Sequence, residues 1–194
     1  MKVIAFNGSA RKDGNTALLL NTVLAELATE EIETEIYHLA GKQIPGCIAC
    51  FQCFKNKDKR CAAGKDKDIV NECVARMVEA DGILLGSPTY FADVSAGMKA
   101  LIERAGMVSR ANGDLYKRKV GAGVVAVRRA GAYHVLSSLN AFFLIGQMIV
   151  PGSSYWNIAV GREPGEVAHD AEGMKTMRDL GQNMAWLLKK LKES

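Results

Sequence analysis

Long apolar runs are missing from this chain. No stretch of about 18 consecutive apolar residues occurs, so no membrane span is expected. Histidine is scarce: His38, His134 and His169 are scattered and show no metal-ligand spacing. Neither a Ser/His/Asp set nor a pair of carboxylates stands out, which leaves no candidate triad or acid–base pair. Charge of one sign does not dominate either. Lys and Arg number 25 against 21 Asp and Glu, giving a net charge of +4 and a pI of about 8.8. Without a basic face or a motif, that excess supports no nucleic-acid partner. Only Lys2 precedes the first apolar run, and a signal peptide's basic region and small-residue cleavage site are lacking. A cytoplasmic location is expected. No repeat, low-complexity tract or linker divides the chain, and its 194 residues suit one domain, 1–194, with a full core.

Cysteine, by contrast, is plentiful. There are five, and in a reducing compartment they point to metal or redox chemistry more than to structural disulfides.

The chain is organised around Gly8-Ser9-Ala10-Arg11-Lys12-Asp13-Gly14-Asn15-Thr16. This stretch follows the apolar run Lys2–Phe6 and precedes Ala17, Leu20, Leu24 and Leu27, which recur at helical spacing. A strand, a small polar loop and a helix in that order form a phosphate site. The first helical amides lack internal partners, and the macrodipole adds positive charge there. Ser9, Asn15 and Thr16 offer side-chain donors, and Arg11 offers charge. An unliganded βα turn is the plainer alternative. The Gly-Lys-Ser/Thr ending of a nucleotide P-loop is absent, as is G-x-G-x-x-G, so a single phosphate monoester fits best.

Farther along, Ile32–Leu39 alternates like a half-buried strand. Gly41–Lys67 has no periodicity, carries charge at Lys55–Lys59 and Lys65–Asp68, and reads as a long inserted loop. Asp68–Ala80 predicts an amphipathic helix with Asp68 as its N-cap and Cys73 in the core. Gly82–Gly86 predicts a central strand, Ser95–Ala105 a helix, Lys119–Val127 an interior strand and Tyr133–Met148 a helix. Met148–Val150 predicts a short fifth strand. Ser153–Ala168 is irregular, and Ala171–Lys192 predicts a last helix. Strand and helix alternate five times, which predicts an α/β, flavodoxin-like three-layer fold with a five-stranded parallel sheet in the order 2-1-3-4-5. Ligands in such sheets bind past the carboxyl ends of the strands, where loops 8–16, 87–93 and 127–132 meet.

In the second of those loops, Ser87-Pro88-Thr89-Tyr90-Phe91 offers amides and two aromatics to a flat heterocycle, unless both rings pack in a core or interface. In the third, Arg128 or Arg129 either sits by such a ring, grips a nicotinamide nucleotide phosphate, or forms a solvated turn. Cys47, Cys50 and Cys53 at spacings of three, then Cys61, can wrap a cubic iron–sulfur cluster. Zinc, redox-active thiols and an inherited loop without metal remain open at this point. Lys55, Lys57, Lys59 and Arg60 would offset a cluster's negative charge. Tyr155 and Trp156 form either a self-association patch or an ordinary anchored loop.

Taken in order, these pieces resemble the iron–sulfur flavoprotein family within the flavodoxin-like NAD(P)H-dependent FMN reductases. The likeness covers almost the whole chain. It rests on the loop 8–16, Cys47-x2-Cys50-x2-Cys53-x7-Cys61, Gly86–Phe91 and Met98-Lys99-Ala100-Leu101-Ile102-Glu103-Arg104. It implies FMN phosphate on Ser9, Arg11, Asn15 and Thr16. The isoalloxazine would lie against Pro88–Phe91 and the loop Val127–Gly131, and Ser87, Arg128, Arg129 and Gly131 count among the cofactor-binding residues. A [4Fe–4S] cluster on the four cysteines would lie near a neighbouring subunit's flavin in a homodimer or homotetramer. It further implies an enzyme that takes electrons from NAD(P)H and hands them to a small-molecule or protein acceptor. Two alternatives are a ferredoxin-linked electron-transfer protein and a thiol- or zinc-based redox module. The chain departs from the family at Ala10, where proline is usual, in the long gap before Cys61, and in the double arginine of its third loop.

Overall fold

The structure, a computed structural model, describes residues 1–64 and 67–193. Lys65 and Asp66 of the second charge run lie outside the described residues. The sheet holds five parallel strands: β1 (Lys2–Asn7), β2 (Glu33–His38), β3 (Gly82–Pro88), β4 (Val120–Val127) and β5 (Ile158–Val160). Their order is β2-β1-β3-β4-β5, the flavodoxin-like arrangement that the alternation predicts. The helices are α1 (Asn15–Thr29), α2 (Gln52–Asn56), α3 (Val70–Glu79), α4 (Ala96–Ala111), α5 (Ala132–Ile145) and α6 (Ala171–Glu193). Among the described residues, no helix is long and apolar enough to cross a membrane.

Side chains alternate across a strand, so β1 feeds two cores at once. Val3 and Ala5 meet Leu19, Leu20 and Val23 of α1 and Met177 and Met184 of α6. Ile4 and Phe6 belong to the core that also holds Met77 of α3, Leu101 of α4 and Phe143 of α5. Cover on both faces explains why β1, β3 and β4 read as nearly continuous apolar runs. Where α1 crosses β3 there is room only for glycine. A Cβ on Gly86 would lie 2.6 Å from Leu20 Cδ1.

The fifth strand needs correction. Met148–Val150 contributes only a bridge from Ile149 to Val120, and Pro151, which has no N–H, ends it. The chain then loops out and returns as Ile158–Val160, which pairs with Val125–Val127. Three residues are too few to give a periodic signal, so the edge strand was misplaced by one loop. Asp68 is likewise not the cap of α3. Ile69 holds that position, while Asp68 Oδ1 accepts the Val70 N–H at 3.0 Å. The expected long loop contains the single helical turn α2. By contrast, Ser95 caps α4, its Oγ accepting the Met98 N–H at 3.3 Å.

Candidate active site

Four loops end at the carboxyl edge of the sheet, after β1, β3, β4 and β5. Together they line a cleft of about 220 Å³. A roomier cavity of about 430 Å³ beside Tyr155 and Trp156 has no charged side chain in its lining and so nothing to hold a phosphate.

The first loop is shaped by a residue the sequence did not single out. Asn7 ends β1 fully buried. Its Oδ1 accepts the Ser9 N–H at 3.0 Å, and its Nδ2 donates to Lys12 carbonyl at 3.2 Å and to His38 Nδ1 at 3.1 Å. Those bonds leave the imidazole nitrogen as an acceptor. Burial, and Lys12 after it, hold the His38 pKa below the usual histidine range, in keeping with a neutral ring. Ser9 Oγ accepts the Arg11 N–H at 3.1 Å, and the Gly8 N–H donates to Gly86 carbonyl at 2.8 Å. The loop therefore has its shape before any ligand arrives.

At its end α1 opens without a cap. The N-cap is Gly14, which has no side chain, and the first turn holds no acidic residue. Asn15, Thr16 and Ala17 are all buried, Thr16 to 1% exposure. A buried helix N-terminus needs a partner for its orphan amides, and an anion is the natural one. Arg11 and Arg128 line the same cleft.

Asn15 itself does something other than its residue type suggested. Its Nδ2 donates to Gly161 carbonyl at 3.1 Å and to Glu163 carbonyl at 3.0 Å, and its Oδ1 accepts the Gly165 N–H at 2.8 Å. The side chain is a tie to the loop after β5. That loop brings Gly161 and Arg162 into the cleft. Glu166 shapes it further, accepting the N–H of Arg162 at 2.6 Å and of Glu163 at 2.9 Å, and these backbone bonds hold its carboxyl below the usual range. Arg162 was missed because the loop it belongs to was assigned to no strand.

In the second loop, Pro88, Thr89 and Tyr90 line the cleft. Thr89 Oγ1 is buried there without a partner. Ser87 and Phe91 do not line it. Ser87 Oγ accepts the Ser95 N–H at 3.0 Å and donates to Pro88 carbonyl at 2.8 Å. Phe91 stands fully exposed at φ +48°, in a turn closed by paired bonds between Tyr90 and Asp93. In the third loop Arg128 lines the cleft. Arg129 is exposed next to it and Gly131 is the N-cap of α5.

The four cysteines Cys47, Cys50, Cys53 and Cys61 line a second, small cavity, with Phe51 and Arg104 also in its wall. Cys53 rides on α2, and burial pushes its thiol up. The loop is pinned from outside. The Cys47 N–H donates to Glu103 Oε2 at 3.3 Å, and the Cys61 N–H donates to Asn71 Oδ1 at 2.7 Å. Ala49 and Phe51 take left-handed backbone at φ +51° and +53°, each at a cost of roughly 1 kcal/mol. Among the described residues, no group of three or more His, Cys, Asp or Glu is arranged to hold a metal ion. The sulfurs surround one space without closing on a single point.

The sequence pattern of the NADPH-dependent FMN reductase family matches residues 1–163. An iron–sulfur flavoprotein of Methanocaldococcus jannaschii is 40% identical over 201 aligned residues, covering 100% of both chains. Another, from Archaeoglobus fulgidus, is 34% identical over 181 residues, covering 92% of this chain and 86% of the relative. Among solved structures, RosB with a bound formylriboflavin phosphate has a TM-score of 0.77 at 19% identity, covering 100% of this chain and 81% of RosB. A WrbA-like flavodoxin from Agrobacterium tumefaciens has a TM-score of 0.65 at 15% identity, covering 97% of each chain. These two likenesses concern the fold. The pattern match and the full-length relatives reach further: the chain belongs to the NADPH-dependent FMN reductase family.

Proposed function

We propose that the chain binds FMN in the strand-end cleft and works as an oxidoreductase, passing electrons from NAD(P)H to an acceptor. On this reading a [4Fe–4S] cluster on Cys47, Cys50, Cys53 and Cys61 serves as a one-electron relay. The observation that carries the FMN part is the buried, uncapped start of α1 among Arg11, Arg128 and Arg162. The Ser9 hydroxyl and the amides of Asn15, Thr16 and Ala17 suit the phosphate. Pro88 and Tyr90 suit one wall of the ring, and the unpartnered Thr89 Oγ1 suits a polar atom on the ring's edge. Arg129 suits a phosphate of the nicotinamide donor. When bound, FMN supplies acceptance of a hydride and release of electrons singly or in pairs. The protein's part is to bind, to orient and to keep water from one face.

Two features favour the cluster over a single zinc ion: the spacing Cys47-x2-Cys50-x2-Cys53 with Cys61 lining the same cavity, and relatives named iron–sulfur flavoproteins. The exposed Ile48, Phe51 and Phe54 beside the cysteines favour a homodimer or homotetramer that covers them. A second reading has ferredoxin, not NAD(P)H, as donor.

Anaerobically purified protein tests all of this. FMN is expected at one per chain, with about four iron and four sulfide per chain and a broad brown absorption beneath the flavin bands. Colourless protein that ignores micromolar FMN would refute the reading, and zinc without sulfide would remove the cluster. Stopped-flow mixing decides the donor. Flavin that stays oxidised with excess NADPH and NADH, yet bleaches with reduced ferredoxin, establishes the second reading.

A further inference from the structure

Arg104 brings a guanidinium into the protein interior. It is 1% exposed and, among the described residues, the largest of the fully buried side chains. A charge so deep is kept only where its donors have acceptors. Nη1 donates to Asp68 Oδ2 at 2.6 Å and to Pro45 carbonyl at 3.3 Å. Nε donates to Cys61 Sγ at 3.2 Å. Nη2 is buried and has no partner. Burial opposes the charged form, and the bonds to Asp68 and Cys61 more than restore it. Gly64 leaves the space that this pair fills. A Cβ there would lie 2.5 Å from Asp68 Oδ2 and 2.7 Å from Arg104 Nη2.

We propose that Arg104 is a positioning residue of the four-cysteine site: its Nε–H fixes the Cys61 sulfur, and its charge offsets the negative charge gathered on the four sulfurs. The inference rests on the reading that these cysteines hold an iron–sulfur cluster. Reduction adds one electron to such a group, with no bond made or broken and no proton moved at Arg104. Hydrogen bonds to ligand sulfur set the potential of these clusters, and a neighbouring positive charge favours the form with the extra electron. Arg104 therefore raises the reduction potential of the site.

The test is a dithionite titration of the holoprotein under defined potential, followed by visible and EPR spectra. Wild type is compared with Arg104→Lys and with the double variant Arg104→Met/Asp68→Asn, which leaves neither buried charge alone. At the potential that half-reduces wild type, the double variant is expected to show at least a tenfold lower ratio of reduced to oxidised cluster, about 59 mV for one electron. Arg104→Lys keeps the charge but loses the Nε–H, and is expected between the two. Equal midpoints in all three overturn the inference while leaving the cluster in place. Wild type without iron and sulfide overturns both. Should the double variant fail to fold, Arg104→Lys decides. A lowered midpoint with unchanged FMN content supports the inference, and an unmoved midpoint ends it.

Discussion

Asn15 separates two accounts of the phosphate loop. As a residue type it is a phosphate donor, whereas in the fold its side-chain amide is spent on the loop 161–165. Asn15→Ala removes three partly buried hydrogen bonds. At about 1 kcal/mol net for each, the loss is about 3 kcal/mol of folding stability. The same loop presents Arg162 to the cleft, so freeing it also weakens FMN binding, by about tenfold if one charge-assisted contact is lost. Urea unfolding of the apoprotein gives the first number, and quenching of FMN fluorescence gives the second. Arg162→Met is the companion. It is exposed, so its stability effect is within about 0.5 kcal/mol, while FMN binding falls by a similar tenfold. If Asn15 acts through Arg162, the double variant binds FMN little worse than either single one. Asn15→Ala with stability unchanged, and affinity losses that multiply to about a hundredfold in the double variant, would mean that the amide touches the ligand directly.

The His38 ring has a folded pKa below its ordinary value and the unfolded chain protonates near pH 6.5, so the unfolded state binds more protons just below that pH. This contribution to stability is complete above about pH 6.5 and is lost as pH falls toward the lowered folded value; the denaturation midpoint should drop between pH 7 and 5.5 in wild type and drop less in His38→Gln. A flat wild-type profile would overturn the lowered His38 pKa. Cys73 is fully buried and its thiol is pushed up to about 12, by burial first and Glu72 second, so in cluster-free native protein it should escape alkylation at pH 8 while the exposed Cys47 and Cys50 are modified, as read by peptide mass spectrometry. Gly86→Ala drives a methyl against Leu20 and should cost about 1–3 kcal/mol, partly recovered in Gly86→Ala/Leu20→Ala, with thermal midpoints as the readout.

The sheet was legible because β1, β3 and β4 are covered on both faces and so read as apolar runs, with helical spacing between them. The phosphate loop was legible because small polar residues crowd the junction of β1 and α1. What escaped was set by partners far along the chain. Asn7 meets His38 across 31 positions, Arg104 meets Cys61 across 43, and Asn15 meets Gly161 across 146. No local pattern marks such a pairing. One signal was available. Arg104 falls three residues after Leu101, on the apolar stripe Met98, Leu101, Ala105 and Val108, and a charge on a buried stripe needs a partner. The edge strand failed for a different reason. Its three residues gain pairing from Val125–Val127 only after the excursion past Pro151, so its stability comes from β4 and not from its own sequence.

The two candidate sites are joined by α4. At its start, the Ser95 N–H donates to Ser87 Oγ and the Ser95 hydroxyl caps the helix, fixing it to the loop that carries Thr89 and Tyr90. Farther along, Glu103 holds the backbone of Cys47, Arg104 holds the sulfur of Cys61, and Asn112 Oδ1 accepts the Lys59 N–H at 3.0 Å. A helix rises 1.5 Å per residue, so Ser95 and Arg104 stand about 14 Å apart along one stiff element. The cysteine loop has little periodic structure of its own beyond α2, and α4 supplies much of its fixed reference. Its position relative to the cleft is thus set by a helix and not by the 41–67 segment. That is why such an irregular insertion can keep four cysteines around one small space.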